Sequence, residues 1–471
     1  MAANATVASA QNEDNGIEET VIGGVDDLSG VDPSSEICAN KGTDETDGNK
    51  IVYLYNVGAK KFLSVGGLWG THASLNVSPY SIYMKKKGSQ TYYLESKVNG
   101  SGTGSYLGIE DNGVYMDRKN DAYSTVRFEQ AKDYDSKTNK VYRVKIGLLL
   151  LDNYLTAYPN DEDMFCNYET KLAEGTTEYK NQEWKIITKN EYYKLFNTAP
   201  AYMESVVDAS FLLACPDFRV NDTDAAKWKI GGVSSTTDVI SRVRFGDEKT
   251  YRTYPGTSGW TPAYDETHQR DYGKYYYCYT KGLRGFNIYQ DVKVHKAGWY
   301  LLRCNGFSTA NSSENIKQNG GPLANLFITV LDANNNPIKE KYSAATLDGI
   351  SQADAEALGN TYDGAGIGRA FFEGKYENQV QICLDDNNIS SENPVTLRIG
   401  FYIDSTTKSE ADDNELTAVD NFKLLYAGPR RNPELILDEE STDLRYLTEA
   451  KDEYKNSVLH LNRKLNDNMW N

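Results

Sequence analysis

The side chains of this 471-residue chain that are grouped closely enough to do chemistry are suited to holding a ligand. Between Thr250 and Lys281 the sequence reads YRTYPGTSGWTPAYDETHQRDYGKYYYCYT, in which Trp260, Tyr264, Tyr272 and Tyr275 to Tyr277 alternate with Arg252, Asp265, His268 and Arg270. The apolar faces of pyranose rings stack on aromatic planes while their hydroxyls take charged and amide partners, so a loop of this composition suits a sugar. Trp260, Tyr264 and Tyr272 are the ligand-binding candidates here. A competing demand on the same rings is to pack the insertion onto its own domain, with Tyr276 and Cys278 turned inward as the next strand begins.

Groups that could catalyse a reaction are not brought together by spacing. His72, His268, His295 and His460 lie far apart, and there is no H-E-x-x-H or G-x-S-x-G. Gly364-Ala365-Gly366-Ile367-Gly368 is too tightly spaced for a dinucleotide loop and reads as a flexible loop. Asp385-Asp386 and Asp412-Asp413 are adjacent pairs whose side chains diverge on a strand or turn, whereas glycosidase carboxylates come from separate strands. The expectation is a protein that is not an enzyme.

The elements that must position the aromatic loop read as strands. In Gly285 to Phe307, Phe286, Ile288, Val292 and Val294 share one phase of a two-residue period, and Asn287, Asp291 and Lys293 share the other. After Gly298 a second run puts Tyr300, Leu302 and Cys304 in phase, which predicts an antiparallel pair joined by His295-Lys296-Ala297-Gly298. Such a pair has one oily face and needs a second sheet to cover it. Abundant Gly (38) and Tyr (35), scarce Met (6) and dominant two-residue periods argue for an all-β class in several domains.

The net charge of −17 repels phosphate backbones and anionic lipid, so nucleic acid is not an expected partner. Residues 1–50 hold 11 Asp and Glu against Lys41 and Lys50, with no aromatic residue, and are expected to form a disordered acidic leader. No 18-residue apolar run suggests a transmembrane segment, and MAANATVASAQNED has neither the basic start nor the apolar stretch of a signal peptide. That start fits a cytosolic protein, an incomplete gene fragment or a form that has lost its export signal. Cys38, Cys166, Cys215, Cys278, Cys304 and Cys383 are too scattered for zinc or redox spacing, and Cys304 and Cys383 read as buried free thiols.

Residues 51–188 contain a loose internal repeat. Tyr53-Leu54-Tyr55 leads to Phe62, Tyr93-Leu94 to Tyr106, and Tyr142-Arg143-Val144 to Tyr154. Each unit closes on an apolar run, at Ile82 to Met84, Val126 to Phe128 and Trp184 to Ile187. One such unit cannot bury its own apolar face, whereas three around an axis share a core, which is the logic of a β-trefoil. YLYNVGAKKFLSVGGLWG and Gln182-Glu183-Trp184-Lys185-Ile186 resemble ricin-type β-trefoil lectin repeats, in which the Q-x-W tryptophan fills the shared core. The resemblance implies sugar binding through aromatic platforms. Trp69, in Gly66-Gly67-Leu68-Trp69-Gly70, is the candidate platform, or else a ring that caps the trefoil core.

After a connector at 189–205, the segments Ala209 to Trp228, Gly285 to Phe307, Val395 to Ile403 and Ala418 to Tyr426 resemble, in order, the strands of galactose-binding-like jelly rolls of the carbohydrate-binding-module type. This places a sandwich at 206–428. In that family an aspartate before the last strand helps to hold a structural calcium. The resemblance puts Asp420 in that role with Asp217 as a second oxygen ligand, and the alternative for Asp420 is a solvated turn. Residues 429–471 read as the beginning of a further domain, with strands at Glu434 to Leu437 and Ser457 to Leu465, or as a helix over Asp443 to Lys464.

Together the modules resemble those of secreted or surface proteins of gut Bacteroidetes. This implies a non-catalytic glycan-binding protein that is extracellular or at the cell surface. Two alternatives stay open, the accessory region of a polysaccharide-active enzyme whose catalytic domain lies outside this chain, and a surface adhesin or scaffold.

Overall fold

The computed structural model describes residues 21–428 apart from 45, 67–70, 99–103, 111–112, 160–164, 199–205, 219–226, 232–242, 245–262, 266–269, 273–276, 360–365, 373, 386–388, 391 and 405–413. The described residues are mainly short strands, and the fold class is all-β as the periodicities require.

Six strands of the first half close a ring. Ile51–Asn56 pairs with Ile82–Lys86, which pairs with Tyr92–Glu95, and the series runs through Val126–Gln130, Val141–Ile146 and Glu183–Thr188 back to Ile51–Asn56. Three hairpins stand on this ring: Lys61–Gly66 with His72–Asn76, Tyr106–Glu110 with Gly113–Arg118, and Tyr154–Ala157 with Cys166–Glu169. Six barrel strands and three hairpins at threefold spacing make a β-trefoil, and closing the ring leaves the barrel without an unpaired edge. Its core includes Leu54, Met84, Leu94, Val126, Val144 and Trp184. Trp184 is fully buried, and its indole donates to the Leu155 carbonyl at 3.0 Å. The neighbouring Gln182 amide bonds to Thr156 Oγ1 and the Thr170 carbonyl, so the Q-x-W residues tie the last barrel strand to the third hairpin.

The leader expectation is corrected over residues 21–50, while residues 1–20 lie outside the described set. This segment straps the trefoil. The Val31 amide donates to Ile186 and the Ala39 amide to Met84, and Ile22, Val25 and Ala39 are buried. Its acids find partners on the barrel: Asp26 binds Lys60, and Asp32 binds Lys140 and accepts from Tyr134 and Tyr142. These hydrogen bonds, together with Lys140, hold the Asp32 carboxyl below its usual range despite the opposing effect of burial. Counting charge within the segment overlooked the partners the barrel supplies.

Helix α1, Lys189–Thr198, follows the last barrel strand directly and forms a joint. Tyr192 is sealed among Tyr53, Phe62 and Phe211, with ring centroids 5.5, 5.2 and 5.0 Å away. One turn later, Phe196 packs on Phe211 and Tyr426 at 5.4 and 5.8 Å. Lys296 closes the far end, donating to the Phe196 carbonyl at 2.8 Å while lying over the Tyr426 ring. Burial lowers the Lys296 pKa to about 8. The connector is thus a packed element between trefoil and sandwich.

Two sheets face each other beyond the joint. One runs Lys229–Gly231, Phe286–Val294, Val395–Ile403, Ala324–Leu331, Pro337–Thr346. The other is built on Leu416–Tyr426 and Gly298–Ser308, which pair with each other, with Cys278–Lys281 and Val207–Asp208 beside the former and Glu377–Leu384 beside the latter. The expected pairing within Gly285 to Phe307 is therefore corrected. Phe286–Val294 and Gly298–Ser308 lie in different sheets, so their oily phases face each other across the core. Both arrangements bury the same residues, and alternation alone cannot choose between them. The crossing turns on Gly298, where φ is 132° and an added Cβ would stand 2.3 Å from the Gly428 carbonyl oxygen. Cys38, Cys166, Cys278 and Cys304 carry free thiols. The strand and helix readings of 429–471 both lie outside the described residues.

Candidate functional site

The outer face of the five-stranded sheet carries the best-developed cluster of aromatic, amide and charged side chains. Strand register lines up Asn287, Tyr402 and Asn325 in one row, Tyr289, Gly400 and Phe327 in the next, and Asp291, Arg398 and Thr329 in a third. Their inward neighbours Ile288, Ile399, Phe401 and Ile328 fill the core, which fixes these residues on the opposite face.

Gly400 sits at the centre of this face. A Cβ there would lie 1.9 Å from the Ile288 carbonyl oxygen, so only glycine fits. The missing side chain lets the backbone of Phe286–Val294 approach closely, with Tyr289 on one side of the buried glycine and Phe327 on the other. Phe327 stacks on Tyr342, with centroids 6.1 Å apart and planes 12° from parallel, and meets Tyr402 edge-on. Tyr342 and Tyr402 share a hydrogen bond, and burial raises the pKa of both phenols, so they stay protonated at neutral pH.

The polar side of the cluster is equally fixed. Arg398 Nε and Nη2 donate to the two oxygens of Asp291 at 2.7 and 3.1 Å, and the guanidinium lies 4.1 Å from the Tyr289 ring centroid. The hydrogen bond to Asp291 raises the Arg398 pKa further. The Asn287 side-chain oxygen is buried without a hydrogen-bond partner among the described residues. A buried amide oxygen left unpaired costs roughly 1–3 kcal/mol. The half-buried Tyr289 and Tyr402 rings and the fixed ion pair can stack a sugar ring and bind its hydroxyls.

The sequence candidates are placed unevenly. Trp69 and Trp260 lie outside the described residues. Tyr264 and Tyr272 fall on the paired strands Ala263–Asp265 and Arg270–Tyr272, where the backbone is described. The insertion that carries them leaves the sheet at Gly231, where an added Cβ would be 2.6 Å from Asn287 Oδ1 and 2.9 Å from Tyr289 Cε1. The chain that holds Trp260, Tyr264 and Tyr272 therefore starts beside the outer-face cluster. Sequence reasoning assigned Asn287 and Asp291 to the outward phase but passed over Tyr289, Arg398 and Tyr402. The available signal was an aromatic residue recurring in the phase where solvent favours polar groups.

Asp420 is a buried strand residue, which corrects its reading as a solvated turn. It precedes Asn421, whose φ of 51° marks the irregularity where the pairing with Gly298–Ser308 shifts register. Burial, with a further push from the Asp420 charge, raises the Cys278 and Cys304 thiols well above their usual range. Asp217 lies on the adjoining segment, where the Pro216 carbonyl accepts from the Phe422 amide at 3.0 Å. Among the described residues, no group of three or more His, Cys, Asp or Glu side chains is arranged to hold a metal ion.

A second aromatic group lies where the trefoil hairpins meet. His72 packs against Tyr115 and Phe165 at 5.1 and 5.6 Å, and Tyr158 stacks on Phe165 at 4.8 Å. Burial lowers the His72 pKa to about 4, so the imidazole is neutral at physiological pH and serves as part of this packed cap.

No family model matches the chain, and no curated protein does. Among solved structures, the Macrolepiota procera ricin B-like lectin in complex with lactose is 16% identical, aligning over 29% of this chain and 94% of its own, with a TM-score of 0.21. The cytolethal distending toxins of Actinobacillus actinomycetemcomitans and Haemophilus ducreyi are 11% and 13% identical, covering 30% and 34% of this chain and 94% and 95% of their own, each with a TM-score of 0.23. These similarities are weak. The trefoil assignment rests on the closed ring of strands and the buried Trp184.

Proposed function

We propose that this chain is a non-catalytic carbohydrate-binding protein that takes glycans on the outer face of its five-stranded sheet, at the root of the aromatic insertion. The observation that carries this reading is the half-buried Tyr289 and Tyr402 rings set beside the fixed Asp291–Arg398 pair on the outer face of the sheet. The proposed setting is extracellular or at the cell surface, and among the described residues no helix is long and apolar enough to cross a membrane.

Glycan-array binding by the full chain tests the proposal. Tyr402→Ala and Trp260→Ala are each expected to weaken binding by about 1–3 kcal/mol, as hot-spot truncations do. Loss with Tyr402→Ala but unchanged binding with Trp260→Ala confines the site to the sheet face. No binding of any glycan by the parent, or unchanged binding in both folded variants, overturns it.

A structural calcium held by Asp217 and Asp420 is proposed alongside, supported by their two carboxylates on adjoining segments. A ligand that binds the folded state alone raises its melting temperature. Melting of the full chain is therefore expected at a higher temperature in millimolar calcium than in chelator, and superimposable curves reject the ion.

A further inference from the structure

The described residues leave only four large apolar side chains exposed, and three of them belong to one turn of the third trefoil unit. Leu148, Leu150 and Leu151 are 37%, 99% and 52% exposed, and Tyr123 is 49% exposed. The leucines form a tight turn, with the Leu151 amide donating to the Leu148 carbonyl at 2.8 Å. Tyr123 is held at the foot of this turn from a different part of the sequence. The Gly147 amide donates to the Thr125 carbonyl at 2.9 Å, and an added Cβ at Gly147 would lie 3.7 Å from the Tyr123 carbonyl oxygen.

The turn does not need leucine. The corresponding connection in the first unit, between Ile51–Asn56 and Lys61–Gly66, is made by Val57-Gly58-Ala59-Lys60 with no exposed large apolar side chain among them. Leu150 stands fully in water, so each such side chain carries a hydration cost that the fold does not recover.

We propose that this leucine turn is a docking tip that enters the apolar boundary of a lipid bilayer. The patch exposes on the order of 400 Å² of apolar surface, well short of the roughly 800 Å² per partner that a standard protein interface buries. Leu150 stands clear of the surface at the turn, and a protein partner would have to supply a pocket to match it. A bilayer accepts an aliphatic tip without one, and a tyrosine at the foot of the tip suits the headgroup boundary, where one end of the ring is apolar and the other wet. Charge selects the lipid. Lys145 at the base is neutralised by Asp152 at 2.9 Å, and the chain carries −17 overall, so the surface is zwitterionic rather than anionic.

The test is co-sedimentation of the full chain with phosphatidylcholine vesicles at physiological salt. The vesicles carry no sugar, so the result is independent of the glycan proposal. The parent is expected in the pellet, and a variant combining Leu148→Ser, Leu150→Ser and Leu151→Ser is expected to bind at least about tenfold more weakly with an unchanged circular dichroism spectrum. A separate Leu150→Trp variant is expected to show more quenching by brominated lipid than the parent. A parent that stays in the supernatant, a triple variant that pellets equally, or no added quenching with Leu150→Trp overturns the proposal. So does a parent dimer that the triple variant converts to monomer in sedimentation velocity, since the occupant is then a second copy.

Discussion

Trp184→Ala is expected to cost about 3–5 kcal/mol of trefoil stability, the range for deleting a large aromatic side chain from a core that cannot collapse around the void. Trp184 is fully buried among Leu54, Val144 and Ile186, and its indole supplies the hydrogen bond to Leu155 that joins the closing strand to the third hairpin. The substitution therefore removes packing and leaves a buried carbonyl unpaired. Urea unfolding followed by near-ultraviolet circular dichroism should show the loss as a lower midpoint. A midpoint within the error of the parent would mean that the ring is not part of the shared core.

Tyr192→Ala is expected to have an effect of similar size, about 3–5 kcal/mol, but of a different kind. Tyr192 lies where Tyr53 and Phe62 of the trefoil meet Phe211 of the sandwich, so its loss opens a void in the joint. Calorimetry is expected to give one transition for the parent and two for the variant, as the modules uncouple. A companion substitution separates packing from polarity. The Tyr192 hydroxyl is buried and has no hydrogen-bond partner among the described residues, and burial raises its pKa well above the usual phenol range. Tyr192→Phe should therefore be neutral or stabilising, because it removes an unsatisfied polar group while keeping the ring. Marked destabilisation by Tyr192→Phe would show that the hydroxyl is hydrogen-bonded after all.

Elements were legible in the sequence wherever periodicity matched burial. Val395–Ile403 was recovered to the residue because Leu397, Ile399, Phe401 and Ile403 alternate into the core. The three closing strands of the trefoil were found because each unit must end on apolar residues to complete a common interior. Pairing was less legible. Nothing local distinguishes two strands lying side by side from two facing across a sandwich, and Phe286–Val294 with Gly298–Ser308 took the second arrangement.

The strap over residues 21–50 was misread because its apolar residues are few and its partners lie far away in sequence. The outer-face cluster was half legible. Asn287 and Asp291 were assigned to the outward phase, but only register shows that Tyr289 and Phe327 flank Gly400 and that Arg398 meets Asp291.

The strap also sets the order in which the molecule can assemble. It is synthesised before the barrel, yet its hydrogen bonds are to strands made much later: the Lys185 side chain that caps the Asp26 carbonyl is 159 positions away in the sequence. Neither the ring nor its strap can close until Thr188 has been made. Contacts of such long separation fold slowly, because chain entropy is lost before the contacts compensate for it. On the ribosome the first two trefoil units must therefore wait as open sheets. The strap's acids keep its own part of the waiting chain charged and hydrated until Glu183–Thr188 arrives.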